Sequence, residues 1–188
     1  MKIVVGISGG SGAIYALALL KVLREVGVES HLVVSRMGAY VTEQECGVSL
    51  DELRDAADVF YENDNLAAPI ASGSCRMDGM VIVPCSMKTL ASVASGISDS
   101  LLTRAADVAI KEGRKLILVA RETPLSPIYL ENMLKLARMG VTIMPASPAF
   151  YHQPQQLSDL VAFLVGRILD QLAIDHHLTA RWGEQGGA

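Results

Sequence analysis

The sequence predicts a single α/β domain built around a mostly parallel β-sheet. Short β-branched runs bounded by turn residues alternate with longer stretches of helical period, which is the pattern of βαβ units. The 188 residues fit one domain of ordinary size. A hydrophobic fraction of 51% and a mean hydropathy of +0.34 provide enough apolar surface for one sizeable core. A disordered or linker-like chain is therefore excluded.

Five runs of strand character are expected to form the sheet. Each is nearly continuous in apolar residues, which is typical of a strand covered by helices on both faces. The predicted strands are residues 2–7, 30–35, 79–85, 115–120 and 141–145.

Helical periodicity fills the intervals between these strands. The predicted helices are residues 12–26, 37–45, 87–96, 101–112 and 127–138, the last with Ser126 as N-cap and Pro127 as its first residue. The clearest helix comes last, where apolar residues from Leu157 to Leu172 follow i, i+3, i+4 spacing over four turns. Residues 62–78 are rich in turn formers and predict a long surface loop. We expect the domain to span residues 1–175 and residues 176–188 to form a C-terminal tail.

Charge and cysteine content narrow the class of partner. Sixteen basic and twenty acidic residues give a net charge of −4 without a Lys/Arg block, so we expect small molecules and no nucleic acid. Cys46, Cys75 and Cys85 match neither a disulfide framework nor a zinc site, and the histidines lack ligand spacing, so we expect no metal. The high proportion of apolar residues for a chain of this size predicts that some apolar surface is buried between subunits of an oligomer. With no signal peptide and no 18-residue apolar span, we expect a soluble, cytoplasmic protein with no membrane partner.

The ligand site is expected at the carboxyl ends of the parallel strands, because helix N-termini converge there. The first strand leads into SGGSGA, residues 8–13, whose glycines let the backbone approach an anion. The G-x-G-x-x-G spacing is missing, and the second strand ends in Ser35 rather than an acidic residue, so a mononucleotide such as FMN fits better than NAD. Ser11 is either a site residue or the N-cap of the first helix.

Hydroxyls and charges also follow the later strands, although loops are often polar without binding anything. Ser86 and Thr89 flank Lys88 at the start of a helix, which suits a phosphate or is a plain capping sequence. Arg121 and Glu122 follow a buried strand, where a guanidinium can bind an anion and a carboxylate can exchange protons.

Four more candidates have an ordinary structural explanation as well. Arg104 and Lys111 are also explained by helix ion pairs, such as Arg104 with Asp107. Arg167 lies at the edge of the apolar stripe of the last helix and either reaches a pocket or extends along the surface. Tyr151 is either a pocket phenol or a packed aromatic.

Specific sequence blocks are spread over nearly the whole chain: SGGSGA, PCSMKTLASVASG, TRAADVAIKEGRKLILVARETPLS, IYLENMLKLARMGVTIMPASPAFYHQP and RWGEQ. Together they resemble the flavin prenyltransferases, the UbiX family of flavoproteins. Gly10 stands where alanine is common in that family. The resemblance implies a Rossmann-like three-layer sandwich, assembled as a homododecamer with sites between subunits.

The resemblance also implies a reaction. The family joins a dimethylallyl group, supplied as dimethylallyl monophosphate, to N5 and C6 of reduced FMN without a metal, and the prenylated FMN then serves a partner decarboxylase. Positions matching flavin contacts are Gly9, Gly10, Ser11, Ser35, Ser86, Met87, Lys88, Thr89 and Arg121. Positions matching the surroundings of the prenyl phosphate are Arg104, Lys111, Glu122, Tyr151 and Arg167, with Trp182 as a nearby aromatic. Catalytic roles are implied for Ser11, Glu45 and Glu122.

The residues themselves agree with this chemistry. Breaking an allylic C–O bond without a metal requires fixed cations around the departing phosphate, and the chain offers Arg121, Arg167, Lys111 and Lys88. Two alternatives stay open. One is an FMN-dependent decarboxylase of the cysteine-decarboxylating group, which resembles this chain in fold but relies on a site histidine. The other is a non-enzymatic FMN carrier, for which the glycine turn alone would suffice.

Overall fold

Six parallel strands form one sheet in the computed structural model, which describes residues 1–179. The strands are β1 (Lys2–Ile7), β2 (Glu29–Val34), β3 (Val59–Tyr61), β4 (Gly79–Cys85), β5 (Lys115–Ala120) and β6 (Thr142–Pro145). The helices are α1 (Ala13–Glu25), α2 (Arg36–Cys46), α3 (Leu50–Ala56), α4 (Met87–Ser95), α5 (Leu101–Lys111), α6 (Pro127–Arg138) and α7 (Leu157–Gln171).

The strand order is β3-β2-β1-β4-β5-β6, so the chain winds outward from β1 in one direction and then in the other. β1 pairs with both β2 and β4, and Val5 lies opposite Leu32 on one side and Val81 on the other. The direction of winding reverses between β1 and β4. In open parallel sheets the ligand crevice forms outside the carboxyl ends of the strands at such a reversal.

Helices cover both faces of the sheet and give three layers. Successive strand residues point to opposite faces, so Ile3, Val5 and Ile7 pack with α1 and α7, whereas Val4 packs on the other side with α4 and α5. These strand residues are at most 3% exposed, which explains why the strands are continuously apolar. The predicted α/β class and Rossmann-like three-layer architecture are confirmed.

The predicted elements agree closely with the structure, and each of their ends differs by at most one residue. Ser126 is the N-cap of α6 and accepts the N–H of Tyr129, as predicted. Two elements were not predicted. Helix α3 begins at the capping box of Ser49 and Glu52, and β3 is a three-residue, half-buried edge strand. The predicted loop at 62–78 contains a short 3₁₀ turn at Pro69–Ala71.

No helix within residues 1–179 has the length and apolar character that crossing a membrane requires.

Candidate active site

A buried serine joins the carboxyl ends of β1 and β4 at the reversal of the sheet. The Oγ of Ser8 donates to the carbonyl of Pro84 at 2.9 Å and accepts the backbone N–H of Ser86 at 2.8 Å. Ser8 is 1% exposed, so both hydrogen bonds lie away from water, where an unpaired polar group is costly. The contacts fix the spacing between the glycine turn after β1 and the start of α4.

A cavity of about 470 Å³ opens beside this junction. Its volume lies within the about 300–1,000 Å³ that is usual for small-molecule sites. Its wall comes from the loops after β1, β2, β3 and β4 and from the start of α5. The lining residues are Gly9, Ser35, Arg36, Met37, Asn63, Ser86, Lys88, Thr89, Asp99, Ser100 and Leu102.

Three helices point their N-termini at this cavity. Ser35, Ser86 and Ser100 are the N-caps of α2, α4 and α5, and each accepts a backbone N–H from its own first turn at 3.0–3.4 Å. Helix N-termini carry partial positive charge, so three of them at one cavity favour an anion. Lys88 lies on the same wall and adds a full positive charge. Ser86 is thus both a cap and a cavity residue.

The glycine turn after β1 leaves little room for side chains. A Cβ on Gly9 would lie 2.6 Å from the Cβ of Met37, which is closer than such atoms approach. A Cβ on Gly10 would lie 3.4 Å from the Cβ of Pro84, an ordinary contact. The backbone at Gly9 therefore forms the cavity wall, where a planar ligand can approach it.

The N-terminus of α1 is capped by a carboxylate from another helix. Gly12 is its N-cap residue, with a φ of 104°, and the side chain of Ser11 does not cap it. Instead, Glu45 Oε2 on α2 accepts the N–H groups of Gly12 at 2.8 Å and Ala13 at 3.0 Å, and Ser11 hydrogen-bonds to the same side chain. The capping explanation of Ser11 is therefore wrong.

The environment keeps Glu45 ionised. Partial burial raises the pKa of its carboxyl, but hydrogen bonds from Ser11, Gly12 and Ala13 and the charge of Arg121 outweigh this and hold the pKa below the ordinary value. Ser11 and Arg121 thus both act on Glu45 beside the glycine turn.

Arg121 and Glu122 follow β5, next to the end of β4. The backbone N–H of Arg121 donates to the carbonyl of Cys85 at 3.3 Å, and both charged residues are exposed. The Glu122 carboxylate accepts the N–H of Thr123 at 3.0 Å. Met87 was also matched to a flavin contact, but its side chain is buried in the core and is only 5% exposed.

Two of the residues matched to the prenyl phosphate, Arg104 and Lys111, lie on α5. On α5, Arg104 donates to the carbonyl of Ala71 at 3.1 Å and pairs with Asp107 at 2.6 Å, so the predicted ion pair is present. Lys111 pairs with Glu112 at the far end of α5, roughly 15 Å along the helix from its start. Neither residue lines the 470 Å³ cavity.

Arg167 lines a second cavity, of about 420 Å³, between β6 and α7. Its side chain is also 50% exposed and pairs with Asp170, so both of its predicted placements, at a pocket and along the surface, apply in part. Tyr151 is half exposed and packs edge-on against Phe163, another residue of that wall, with ring centroids 5.8 Å apart. Trp182 lies outside the described residues.

The structure thus brings together Gly9, Ser35, Ser86, Lys88 and Thr89 around one cavity. Sequence reasoning missed Asn63 in the same wall. Its backbone carbonyl accepts the N–H of Leu101 at 2.7 Å and its side chain accepts that of Leu102 at 3.0 Å, so it holds the start of α5 against the cavity. An asparagine in a polar loop is a common turn residue, so the sequence offered no distinguishing signal. Residues 1–179 contain no group of three or more His, Cys, Asp or Glu side chains able to hold a metal ion.

Comparison with known proteins identifies close relatives. The Flavoprotein family model matches residues 1–169. A probable UbiX-like flavin prenyltransferase of Streptomyces sp. (strain D7) is 51% identical over 183 residues, which cover 97% of this chain and 92% of the relative. The flavin prenyltransferase UbiX of Methanocaldococcus jannaschii is 47% identical, over 97% of this chain and 99% of its own.

Solved structures give the same result. AnUbiX (PadA1), crystallised in complex with FMN and dimethylallyl pyrophosphate, is 45% identical and superposes with a TM-score of 0.95 over 97% of each chain. A dodecameric FMN-dependent UbiX-like decarboxylase from Escherichia coli O157:H7 is 49% identical, with a TM-score of 0.95 over 99% of this chain and 100% of the other. The peptidyl-cysteine decarboxylase EpiD, at 18% identity and a TM-score of 0.67, shares the fold alone. The chain belongs to the Flavoprotein family and, within it, to the UbiX flavin prenyltransferases.

Proposed function

We propose that this protein is a flavin prenyltransferase that joins the dimethylallyl group of dimethylallyl monophosphate to N5 and C6 of reduced FMN, without a metal. The observation that carries the proposal is the cavity where three helix N-termini and Lys88 meet the glycine turn. This arrangement suits a flat ligand with an anionic end. A relative with 45% identity was crystallised with FMN and dimethylallyl pyrophosphate.

The residues that line the cavity suit FMN in shape and in polarity. The missing side chain at Gly9 leaves a backbone surface that a Cβ would fill. The hydroxyls of Ser35, Ser86 and Thr89 and the ammonium of Lys88 supply polar groups of the kind that bind a phosphate and a ribityl chain. The chemistry supplied by bound reduced FMN is nucleophilic, because its electron-rich ring forms the new bonds to carbon. The protein therefore has to orient two substrates and exclude water.

Ser11 and Glu45 form the proposed proton-handling pair at flavin N5. An ionised carboxylate that accepts a hydrogen bond from Ser11 orients that hydroxyl and makes it a better proton acceptor. Glu122 is proposed to assist removal of the proton from the flavin carbon, with the released phosphate as the acceptor. Replacing Glu122 by Gln and measuring ring closure after acid trapping tests this role, since undiminished ring closure would eliminate it.

The cations for the leaving phosphate are proposed to come from more than one copy of the chain. Arg104 and Lys111 lie along α5 and Arg167 lines the cavity beside α7, while Lys88 lines the flavin cavity. A phosphate departing without a metal needs several fixed positive charges around it. A relative with 49% identity is a dodecamer. We therefore propose a homo-oligomer, a dodecamer, in which neighbouring copies complete each site.

The two alternative functions explain less of the structure. A cysteine decarboxylase of the related group relies on a site histidine, but none of the four histidines lines the flavin cavity. His31 is bound to Tyr61 and Glu29, and His176 is bound to Asp170. An FMN carrier would leave Arg167, which lines a cavity separate from that of Lys88, without a ligand to bind.

Flavin mass spectrometry tests the proposal against both alternatives. The full-length protein is mixed with reduced FMN and dimethylallyl monophosphate in the absence of oxygen, and the flavin is then released and weighed. A prenyltransferase yields a flavin heavier by one isoprene unit, and inorganic phosphate is released in equal amount. Bound flavin of unchanged mass would overturn the proposal and favour a carrier. In a separate assay with oxidised FMN as the electron acceptor, release of carbon dioxide from a cysteine-containing peptide would favour the decarboxylase.

The product is proposed to serve a partner decarboxylase in the cytoplasm. All three cysteines are free thiols, which supports a reducing compartment. Adding the reaction mixture to an apo-decarboxylase that requires prenylated FMN tests the first point, and cell fractionation tests the second.

A further inference from the structure

Asp170 lies between two side chains near the end of α7. Its Oδ2 accepts a hydrogen bond from Nη1 of Arg167 at 2.7 Å, and its Oδ1 lies 3.2 Å from Nε2 of His176. Arg167 and Asp170 are one helical turn apart, so both project from the same side of α7. His176 comes after the helix has ended, and the chain returns to bring its ring against α7.

The position of His176 is fixed by packing as well as by hydrogen bonding. Its side chain is only 4% exposed. The backbone N–H of Leu178 donates to Nδ1 at 3.3 Å, which leaves Nε2 as the ring nitrogen that donates to Asp170. A Cβ on Gly166 would lie 2.9 Å from Cε1 of His176, so the ring packs against a gap that glycine provides.

We propose that Asp170, held by His176, positions the guanidinium of Arg167 for the phosphate of the prenyl donor. This inference rests on the proposed function, in which Arg167 binds that phosphate. A guanidinium has five N–H donors, and Asp170 fixes its orientation through Nη1 while others remain for a second anion. The Arg167 side chain is 50% exposed, and without this restraint it would lose rotamer freedom on binding. Asp170 and His176 are positioning residues because they act through Arg167.

Simple electrostatics makes the opposite prediction. A carboxylate beside a phosphate-binding arginine partly neutralises it, so its removal would tighten anion binding if charge alone mattered. Positioning predicts that the same removal weakens anion binding, because the arginine is no longer held in place. The direction of the change therefore distinguishes the two.

The experiment measures binding of inorganic phosphate to the full-length, FMN-loaded protein by titration calorimetry. Asp170→Ala and His176→Ala are expected to raise the Kd for phosphate about tenfold, the scale on which groups that orient a ligand-binding side chain act. His176→Gln places an amide N–H close to where Nε2 lies, so it keeps a donor for Asp170 and should recover most of the affinity. Asp175→Asn is the matched control, because it removes one negative charge from an exposed position nearby and should change the Kd less than twofold.

Kinetics and flavin binding provide the second readout. The KM for dimethylallyl monophosphate should rise in His176→Ala by about the same factor as the phosphate Kd, whereas the FMN Kd should stay within about twofold. Asp170→Asn keeps the side-chain shape and provides the test if Asp170→Ala fails to fold. Unchanged or tighter phosphate binding in the Asp170 and His176 variants would overturn the inference. If Arg167→Ala binds phosphate as the wild type does, the proposed role of Arg167 has failed instead.

Discussion

The carboxylate of Glu45 lies over the amino end of α1, with Oε2 2.8 Å from the amide nitrogen of Gly12. The two residues are 33 positions apart in sequence and belong to different elements. The contact places a negative charge at the positive end of a helix dipole and orients Ser11 at the same time.

Replacing Glu45 by Gln should reduce stability in a pH-dependent way. The pKa of Glu45 is lower in the folded protein than in the unfolded chain. The ionised carboxylate therefore stabilises the fold fully above the unfolded pKa, and this stabilisation is lost as the pH falls through the folded pKa. At neutral pH we expect the variant to lose about 0.5 kcal/mol in free energy of unfolding. This value is at the low end of the range for a charge at a helix terminus, because Glu45 is exposed to solvent. Urea unfolding at pH 7 and below pH 4 measures it. Glu43→Gln, on the exposed side of α2, is the control, and an equal pH dependence in both variants would contradict the prediction.

Two neighbouring glycine substitutions should have different effects. Gly9→Ala would place a Cβ 2.6 Å from the Cβ of Met37, so the start of α2 must move. We expect the Kd for FMN to rise at least about tenfold and the protein to lose about 1–3 kcal/mol of stability. Gly10→Ala meets its nearest atom at 3.4 Å and should change the FMN Kd less than about twofold. Fluorescence titration of FMN measures both, and equal Kd values for the two variants would contradict the geometry.

Removing the hydroxyl of Ser8 should destabilise the junction between β1 and β4. Ser8→Ala leaves the carbonyl of Pro84 without that donor and the N–H of Ser86 without its acceptor. Because the site is buried, we expect a loss of about 1–3 kcal/mol in free energy of unfolding. Ser95→Ala, at the exposed end of α4, serves as control and should stay within about 0.5 kcal/mol of the wild type. A Ser8 variant as stable as this control would show that the hydrogen bonds are dispensable.

The fold could be predicted because its strands are buried on both faces. Runs such as residues 116–120 are continuously apolar, and this pattern can be read from the sequence without knowing which strands lie beside them. β3 was missed because three half-buried residues at a sheet edge carry no such pattern. Helix α3 has only seven residues, although its capping box, Ser49 with Glu52, was a readable signal.

The site could be predicted only where it follows the strand ends. Ser35, Ser86 and Lys88 line the cavity because parallel strands bring their carboxyl ends to one edge. The contact of Glu45 with Gly12 depends on how α2 packs beside α1, and spacing along the chain does not encode it. The same holds for the contact of His176 with Asp170, which needs the chain to turn back after α7.

Cys85 should be the least reactive thiol of the protein. Burial raises its pKa to about 12, so almost no thiolate is present at pH 8. Cys46 and Cys75 are only partly buried and should react faster. Timed alkylation with iodoacetamide followed by peptide mass spectrometry gives the three rates. Labelling of Cys85 in native protein at the rate seen in denaturant would contradict its burial.

Mixed oligomers should recover activity if one copy supplies the flavin cavity and another supplies Arg167. Lys88 lines one cavity and Arg167 another, and Lys88→Ala and Arg167→Ala are each expected to lose most activity alone. When the two variants are unfolded together and reassembled at random, about a quarter of the sites combine an intact Lys88 with an intact Arg167 from a neighbour. Activity should rise to about that fraction of the wild type. Each variant reassembled alone is the control. If both residues of a site came from the same chain, every site in the mixture would still lack one of them and no activity would return.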